Sequence, residues 1–380
     1  MPKRIVVDAS AALNQGAGIG RYARAIIPRL AAELPEIEFR GIVAPDENAD
    51  PEVASLGRSE LESAGVSLRK LPFSRRQADI LWFRGRVPLP IEVFAGRNQL
   101  VYSPDFTAPP ALSRRSIVTV HDLAFEVAPQ YAPTGLREYL RNVVPRQVRK
   151  ATRVAVVSET TRRDLRERYG IAEERIGLVS NGVSDRFFDP PSLAADERAR
   201  LGIPAEYLLM VGTLEPRKNH LGVFEALEQS KVARDIPLIV SGRRGWADEA
   251  IVDRIATLQE RGRVKWISYA PERLLPSLFA SAAATIYPSW YEGFGLPALE
   301  SLAAGTPVVI SRAPSLVEIA HGVAREADAD RPDEIAEAID LAVTNDHNPA
   351  AKSARQERAR QYQWERSGIA AAQLVRDALS

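Results

Sequence analysis

Apolar residues along the chain follow two rhythms. Short apolar runs bounded by Gly, Pro, Asn or Asp read as buried strands, and stretches that repeat an apolar residue every three or four positions read as helices packed on one side. In the first half, runs at 4–8, 38–44, 66–71, 100–103, 116–120, 153–157 and 175–179 predict strands. The segment 18–34 predicts a helix whose apolar side is Tyr22, Ile26, Ile27, Leu30 and Leu34. Further helices are predicted at 51–64, 73–94, 135–153 (interrupted by Pro145) and 159–168, the last capped by Ser158 and ended by Gly170. In the second half, strands are predicted at 207–211, 237–240, 264–267, 282–287 and 308–310. Helices are predicted at 248–261, 274–281, 297–304 and 332–344, with a charged helical tail over 349–380. Strands alternating with helices predict βαβ units, parallel sheets and an α/β fold.

Composition narrows the function classes. A chain of 380 residues fits two domains. Asn181-Gly182 is a turn pair and Pro190-Pro191 stiffens the linker, so the hinge is placed near 181–190. The expected domains are 1–182 and 183–360, with a tail helix over 361–380. Net charge is +1, so no global field points to nucleic acid. There are no cysteines, which excludes disulfides, thiolate metal sites and cysteine nucleophiles. No apolar run approaches the ~18–20 residues that span a bilayer, and the N-terminus enters a strand without a signal-like core. The expected location is cytoplasmic.

The richest chemistry lies in PSWYEGFGLPALESLAAGTPVV, 288–309. A strand runs into a Gly-rich loop, Pro297 starts a helix, Gly305 ends it, and another strand comes after. The unpaired amides at that helix start, with glycines at 293 and 295, suit an anionic or oxygen-rich ligand. Glu292 and Glu300 flank the loop, and a carboxylate accepts hydrogen bonds from paired hydroxyls. Phosphate plus sugar hydroxyls satisfy both features; a solvated surface helix is the plainer alternative.

Other segments add to this. Gly16, Gly18 and Gly20 precede a helix, where a phosphate can also sit. A dinucleotide-binding loop is the rival there, but its glycines would come directly after the strand, and here several residues separate Asp8 from Gly16. His121 ends the strand 116–120 at an expected sheet switch point, where open α/β sheets hold ligands, and Asp122 stands next to it as a group to orient it or the acceptor. Arg217 and Lys218 lie on the loop after 207–211, placed to neutralise a leaving diphosphate. Asp328 and Asp330 imitate a metal motif, but stand apart from every other signal and read as a solvated turn. Basic residues around Leu81, Trp82 and Phe83, and the arginines of 135–153, offer an anionic-membrane contact, against the plainer reading of core-packed helices with solvated faces.

Glu292-Gly-Phe-Gly-Leu-Pro-Ala-Leu-Glu300 resembles the E-x7-E motif of the retaining family 4 glycosyltransferases. The resemblance covers nearly the whole chain, being strongest at 288–309, good at 119–125 and 212–219, and weak at 16–22. It implies the GT-B fold, two Rossmann-like α/β/α domains facing each other across a cleft, closing on the donor and with the tail helix returning to the first. It implies that Glu292 contacts the donor sugar, that amides of Phe294, Gly295 and Leu296 lie along sugar and phosphates with Gly293 also in the donor site, and that Glu300 grips the ribose. His121 would lie against the sugar, Gly18 and Gly20 near the phosphates, and Arg217 and Lys218 on the diphosphate. Many members carry arginine after the first glycine of GTLEPRKN, where this chain has Thr213; ISYAPE (267–272) has Ser268 in place of a common glycine, so the base is not readable there. The wording of VHDLAF and GTLEPRKN is similar to that of bacterial mannosyltransferases of surface polysaccharides, which implies GDP-mannose, with UDP- and ADP-glucose as other donors. The implied partners are a nucleotide-sugar donor and a glycan or lipid-linked acceptor, with no metal and no cofactor. A sugar-nucleotide epimerase and a non-catalytic nucleotide-sugar binder are the alternatives.

Overall fold

A computed structural model describes residues 3–16, 18–246, 249–268 and 270–380. Ala17 of the glycine loop, Asp248 at the predicted helix start and Tyr269 of ISYAPE lie outside the described residues. The chain divides into two compact units: Met1–Glu126, Thr134–Gly182 and Trp364–Ser380 form the first, Val127–Pro133 and Val183–Gln363 the second. The sequence-based boundary does not anticipate that 127–133 groups with the second unit.

The first unit holds a seven-stranded sheet of β1 (Lys3–Asp8), β2 (Ile37–Val43), β3 (Ser67–Lys70), β4 (Leu100–Ser103), β5 (Ser116–Val120), β6 (Arg153–Val156) and β7 (Ile176–Leu178). All pairings are parallel, in the order β3-β2-β1-β4-β5-β6-β7. The register runs Ile5 to Phe39 on one side of β1 and Ile5 to Leu100 on the other. Helices cover both faces, so the central strands are continuously apolar: Ile5, Val6, Val7, Leu100, Val101 and Tyr102 are fully buried. The helix Gly18–Glu33 buries the predicted stripe of Tyr22, Ile26, Ile27 and Leu30. The helix Trp364–Leu379 lies on it, so close at Gly368 that an added Cβ would stand 2.8 Å from Arg29 Cβ, and Arg29 pairs with Glu365 at 2.9 Å.

The second unit holds a six-stranded parallel sheet of β8 (Leu208–Val211), β9 (Leu238–Ser241), β10 (Val264–Ile267), β11 (Ala284–Tyr287), β12 (Val308–Ser311) and β13 (Arg325–Ala327), ordered β10-β9-β8-β11-β12-β13. Its core joins Leu208, Met210, Leu238 and Ile286 of the strands to Phe224, Ile255 and Ile339 of the helices. Both sheets run outward from their first strand and then switch sides. The switch falls between β1 and β4 in one unit and between β8 and β11 in the other, where ligands of open α/β sheets collect at the carboxyl ends.

Four sequence expectations change. Residues 10–14 are not loop but the short helix Ser10–Asn14, which buries Ala11, Ala12 and Leu13. The single helix over 73–94 is instead Arg75–Ala78, the wider turn Asp79–Arg84 and Glu92–Ala95, because Pro88 and Pro90 break the stretch between them. Pro145 does not interrupt its helix: Thr134–Lys150 is continuous and gives up one amide donor there. The charged tail is two helices, Pro349–Ala359 and Trp364–Leu379.

Candidate active site

The loops after β8 and β11 leave the second sheet side by side at its switch point. Gly212 ends β8 at φ +146, and a Cβ there would stand 3.0 Å from Lys218 Cε, so the missing side chain makes room for the lysine. The chain then forms the tight turn Pro216–Lys218 and enters the helix His220–Gln229 through Asn219, which is left-handed at φ 61. After β11, residues 288–295 lead into the helix Leu296–Ala304. Gly295 stands before it at φ 116 and Gly305 closes it at φ 75. The two loops are tied at main-chain level, since Trp290 N donates to Arg217 O at 2.9 Å.

Arg217, Lys218 and Glu292 meet there, and they meet each other. Lys218 Nζ donates to Glu292 Oε1 at 3.0 Å and to the Tyr287 hydroxyl at 2.6 Å. Tyr287 in turn donates to Glu292 Oε1 at 2.9 Å. Arg217 Nη1 donates to Glu292 Oε2 at 2.7 Å and to the Tyr291 carbonyl at 2.6 Å, while its Nη2 reaches Glu215 Oε2 at 3.2 Å. Ser315 Oγ fixes the Glu292 carbonyl at 2.6 Å. The ion pairs are screened little, since Lys218 and Glu292 are each only 7% exposed. Burial alone would raise the Glu292 carboxyl, but the Arg217 and Lys218 charges outweigh it and hold it at about 2. Burial would lower Lys218, and Glu292 and Tyr287 reverse this, so the ammonium is held above its usual range. At Glu215 burial wins over the two cations and lifts the carboxyl. Sequence reasoning assigns Glu292 to the sugar and the cations to the phosphates as separate groups; the structure pairs them. It also adds Glu215 and Tyr287, which no local pattern marks.

The remaining second-unit residues lie on the same loops. Thr213 is half-buried and lies against Gly245, where an added Cβ would sit 2.4 Å from Thr213 Cγ2. Gly293 is buried, and the Phe294 ring turns inward against Tyr362 with centroids 5.7 Å apart. Leu296 is half-buried at the helix start, and Glu300 is buried within the helix. Gly295→Ala should destabilise the protein by about 2–3 kcal/mol, because its φ disfavours a side chain and the new Cβ would lie 2.4 Å from Leu316 Cδ2. Urea unfolding measures this; an unchanged midpoint would contradict it.

His121, Asp122, Gly18 and Gly20 belong to the first unit. His121 comes directly after β5, one strand beyond the switch between β1 and β4, so its predicted place at the switch point is corrected. Burial lowers its pKa, so the neutral ring donates from Nε2 to the Pro104 carbonyl at 2.9 Å, and Tyr22 and Phe106 pack edge-on against it. That bond, not Asp122, orients the ring. The Asp122 carboxylate accepts from Ala124 N at 2.9 Å and caps the next turn. Gly20 is required by packing, since a Cβ would fall 1.8 Å from Gln15 O; Gly18 has open space at φ 40. At the first unit's switch point a hollow is lined by Asp8, Arg75, Asp79, Trp82, Asp105 and Tyr139, a group that no sequence motif singles out. Trp82 is buried, with Nε1 bonded to Leu89 O at 3.0 Å, whereas Ile80 and Val87 are exposed. Asp330 N bonds Asp328 Oδ1 in an exposed turn, and no group able to hold a metal ion occurs among the described residues. No helix among them is long and apolar enough to cross a membrane.

Residues 195–362 match the family described as Glycosyl transferases group 1, and residues 16–187 match Glycosyltransferase Family 4. The chain is 30% identical to O-antigen chain mannosyltransferase B of Escherichia coli over 92% of its own length and 93% of that protein. It is 28% identical to O-antigen chain mannosyltransferase RfbU of Salmonella typhimurium over 59% of each. The fold is similar to sucrose-phosphate synthase from Thermosynechococcus elongatus (TM-score 0.73, 19% identity, 98% of each chain). It is also similar to WaaG, a glycosyltransferase involved in lipopolysaccharide biosynthesis (TM-score 0.69, 17% identity, 98% and 99%). With its two parallel sheets and these matches across both halves, the chain belongs to the family 4 (group 1) glycosyltransferases of GT-B fold.

Proposed function

We propose that this glycosyltransferase moves mannose from GDP-mannose to a hydroxyl of a glycan or lipid-linked acceptor, with retention of the anomeric configuration. The observation that carries the donor assignment is the similarity, along nearly the whole chain, to an O-antigen chain mannosyltransferase. The Arg217–Lys218 pair at the switch point of the second sheet supports a diphosphate site, because two fixed cations at one loop suit a doubly charged leaving group. In this reading Arg217 and Lys218 stabilise the departing diphosphate. Amides of Gly293, Phe294, Gly295 and Leu296 line the phosphates and sugar, and Glu292 accepts from the sugar hydroxyls. Glu300 holds the ribose, and Thr213 borders the phosphates in place of the family's arginine. In the first unit, His121 meets the sugar, Asp122 the acceptor, and Gly18 and Gly20 the phosphates. The cations on this chain supply the charge that a metal would otherwise bring, so no metal and no cofactor take part. The leaving phosphate accepts the acceptor's proton, which gives same-face substitution. Exposed Ile80 and Val87 beside Arg84 and Arg86 support a peripheral contact with an anionic membrane, where a lipid-linked acceptor would be presented.

The test is turnover of GDP-mannose, UDP-glucose and ADP-glucose with mannose-terminated oligosaccharide acceptors, the product being read by proton NMR. An α-linked mannosyl product formed from GDP-mannose is expected. A β-linked product would overturn retention, transfer from another donor would overturn the sugar assignment, and conversion of a UDP-sugar without acceptor would point to an epimerase.

A further inference from the structure

We propose that Tyr287 is a positioning residue: it holds Glu292 in place as an ionised carboxylate while Arg217 and Lys218 exchange that carboxylate for the diphosphate of the donor. The inference rests on the donor-site reading above and adds a residue and an order of events to it.

Both cations are already engaged within the protein. Lys218 Nζ is bonded to Glu292 Oε1 and the Tyr287 hydroxyl, and Arg217 is bonded to Glu292 Oε2, the Tyr291 carbonyl and Glu215. A diphosphate can draw on these charges only by displacing or sharing the carboxylate that already holds them. Glu292 therefore acts as an internal anion in the free protein, competing with the ligand. Once the cations turn to the diphosphate, Glu292 is a buried carboxylate stripped of its counter-charges, and neutral sugar hydroxyls replace these only in part, so a donor within the protein is needed as well. Tyr287 is that donor. Its ring is buried at the end of β11, and its hydroxyl gives its proton to Glu292 Oε1 at 2.9 Å while accepting from Lys218. Departure of the lysine removes the bond the hydroxyl accepts and leaves the one it donates. Phenylalanine would fill the same volume, so the hydroxyl is the part with a task.

Two variants test this. In Tyr287→Phe, the free enzyme keeps Arg217 and Lys218 on Glu292, so the acid limb of kcat/KM should stay where it is in wild type. In the donor complex Glu292 has lost its protein hydroxyl donor and keeps only the neutral sugar hydroxyls, so the acid limb of kcat should move up by about one to two pH units, with kcat at neutral pH down about tenfold. A merely structural role would move both profiles or neither, and either of those results overturns the proposal. In Glu292→Gln the competing anion is gone, so GDP and UDP should bind about three- to tenfold more tightly by calorimetry, even as transfer is lost. Equal or weaker nucleotide binding overturns the exchange, and this arm stands even if Tyr287→Phe folds poorly. If wild type neither binds nor turns over any nucleotide sugar, the donor-site reading itself fails; if wild type does both and the variants behave otherwise than stated, this inference fails alone.

Discussion

Lys218→Ala is expected to lower nucleotide release from the donor about 10³-fold, equivalent to about 4 kcal/mol of transition-state stabilisation. The ammonium is buried, so once it turns from Glu292 to the diphosphate its charge is little screened by solvent. Arg217 remains on the other carboxylate oxygen, which keeps Glu292 paired and the loop in place. The variant should therefore fold, losing about 3 kcal/mol for one broken buried ion pair, the low end for such a loss because Arg217 stays on Glu292. Lys218→Arg should not restore activity, because the side chain passes Gly212 with an added Cβ site only 3.0 Å from Lys218 Cε, and the wider guanidinium has no room. Stopped assays of nucleotide release at saturating donor check both. A loss smaller than tenfold for alanine, or full activity for arginine, would remove Lys218 from the diphosphate site.

The same ion pairs should make stability depend on acid. The Glu292 carboxyl is held at about 2, from an ordinary value of 4.5, because Arg217 and Lys218 overcome the burial that alone would raise it. Its folded pKa is depressed, so the stability it contributes is complete above about pH 4.5 and is lost as pH falls through about 2. The size is about 3 kcal/mol. Glu215 and Asp8 are shifted the other way by burial and gain from protonation, so they oppose this loss. The clean comparison is wild type against Glu292→Gln in urea unfolding. The difference between them should be largest near neutral pH and shrink between about pH 4.5 and 2; a constant difference would contradict the pairing of this carboxylate with the two cations.

Much of the architecture is legible because parallel strands covered on both faces become unbroken apolar runs. IVV at 5–7 and VAVV at 154–157 carry that signature, ATIY at 284–287 departs from it only at buried Thr285, and Gly305 and Gly170 mark helix ends that the structure realises in left-handed conformations. The hidden parts have a physical pattern too. Ser10–Asn14 is too short to show a helical period, and β13 is only three residues with one buried side chain. Strand order, and with it the position of His121 relative to the switch point, is a property of pairing between distant segments. The site shows the same limit. Glu292, Arg217 and Lys218 announce themselves by charge beside glycines. Tyr287 looks like the last apolar residue of a strand, and its tie to Lys218 spans 69 positions. Glu215 sits inside the GTLEPRKN motif, yet nothing local says that it will share Arg217 with Glu292. Asp122 shows the opposite error: a carboxylate beside a histidine suggests orientation, but its nearer partner is the amide of Ala124 two residues on.

The measurement that bears most directly on the proposed diphosphate site is phosphorus NMR of the wild-type protein with GDP-mannose, UDP-glucose and ADP-glucose in turn, without acceptor. With Lys218 on the diphosphate, the resonances of GDP-mannose should broaden and shift on binding and GDP should then be released slowly; with Lys218→Ala the shift should be much smaller and the release about 10³-fold slower. Unperturbed resonances for all three donors, or binding of GDP-mannose that survives unchanged without Lys218, would contradict it.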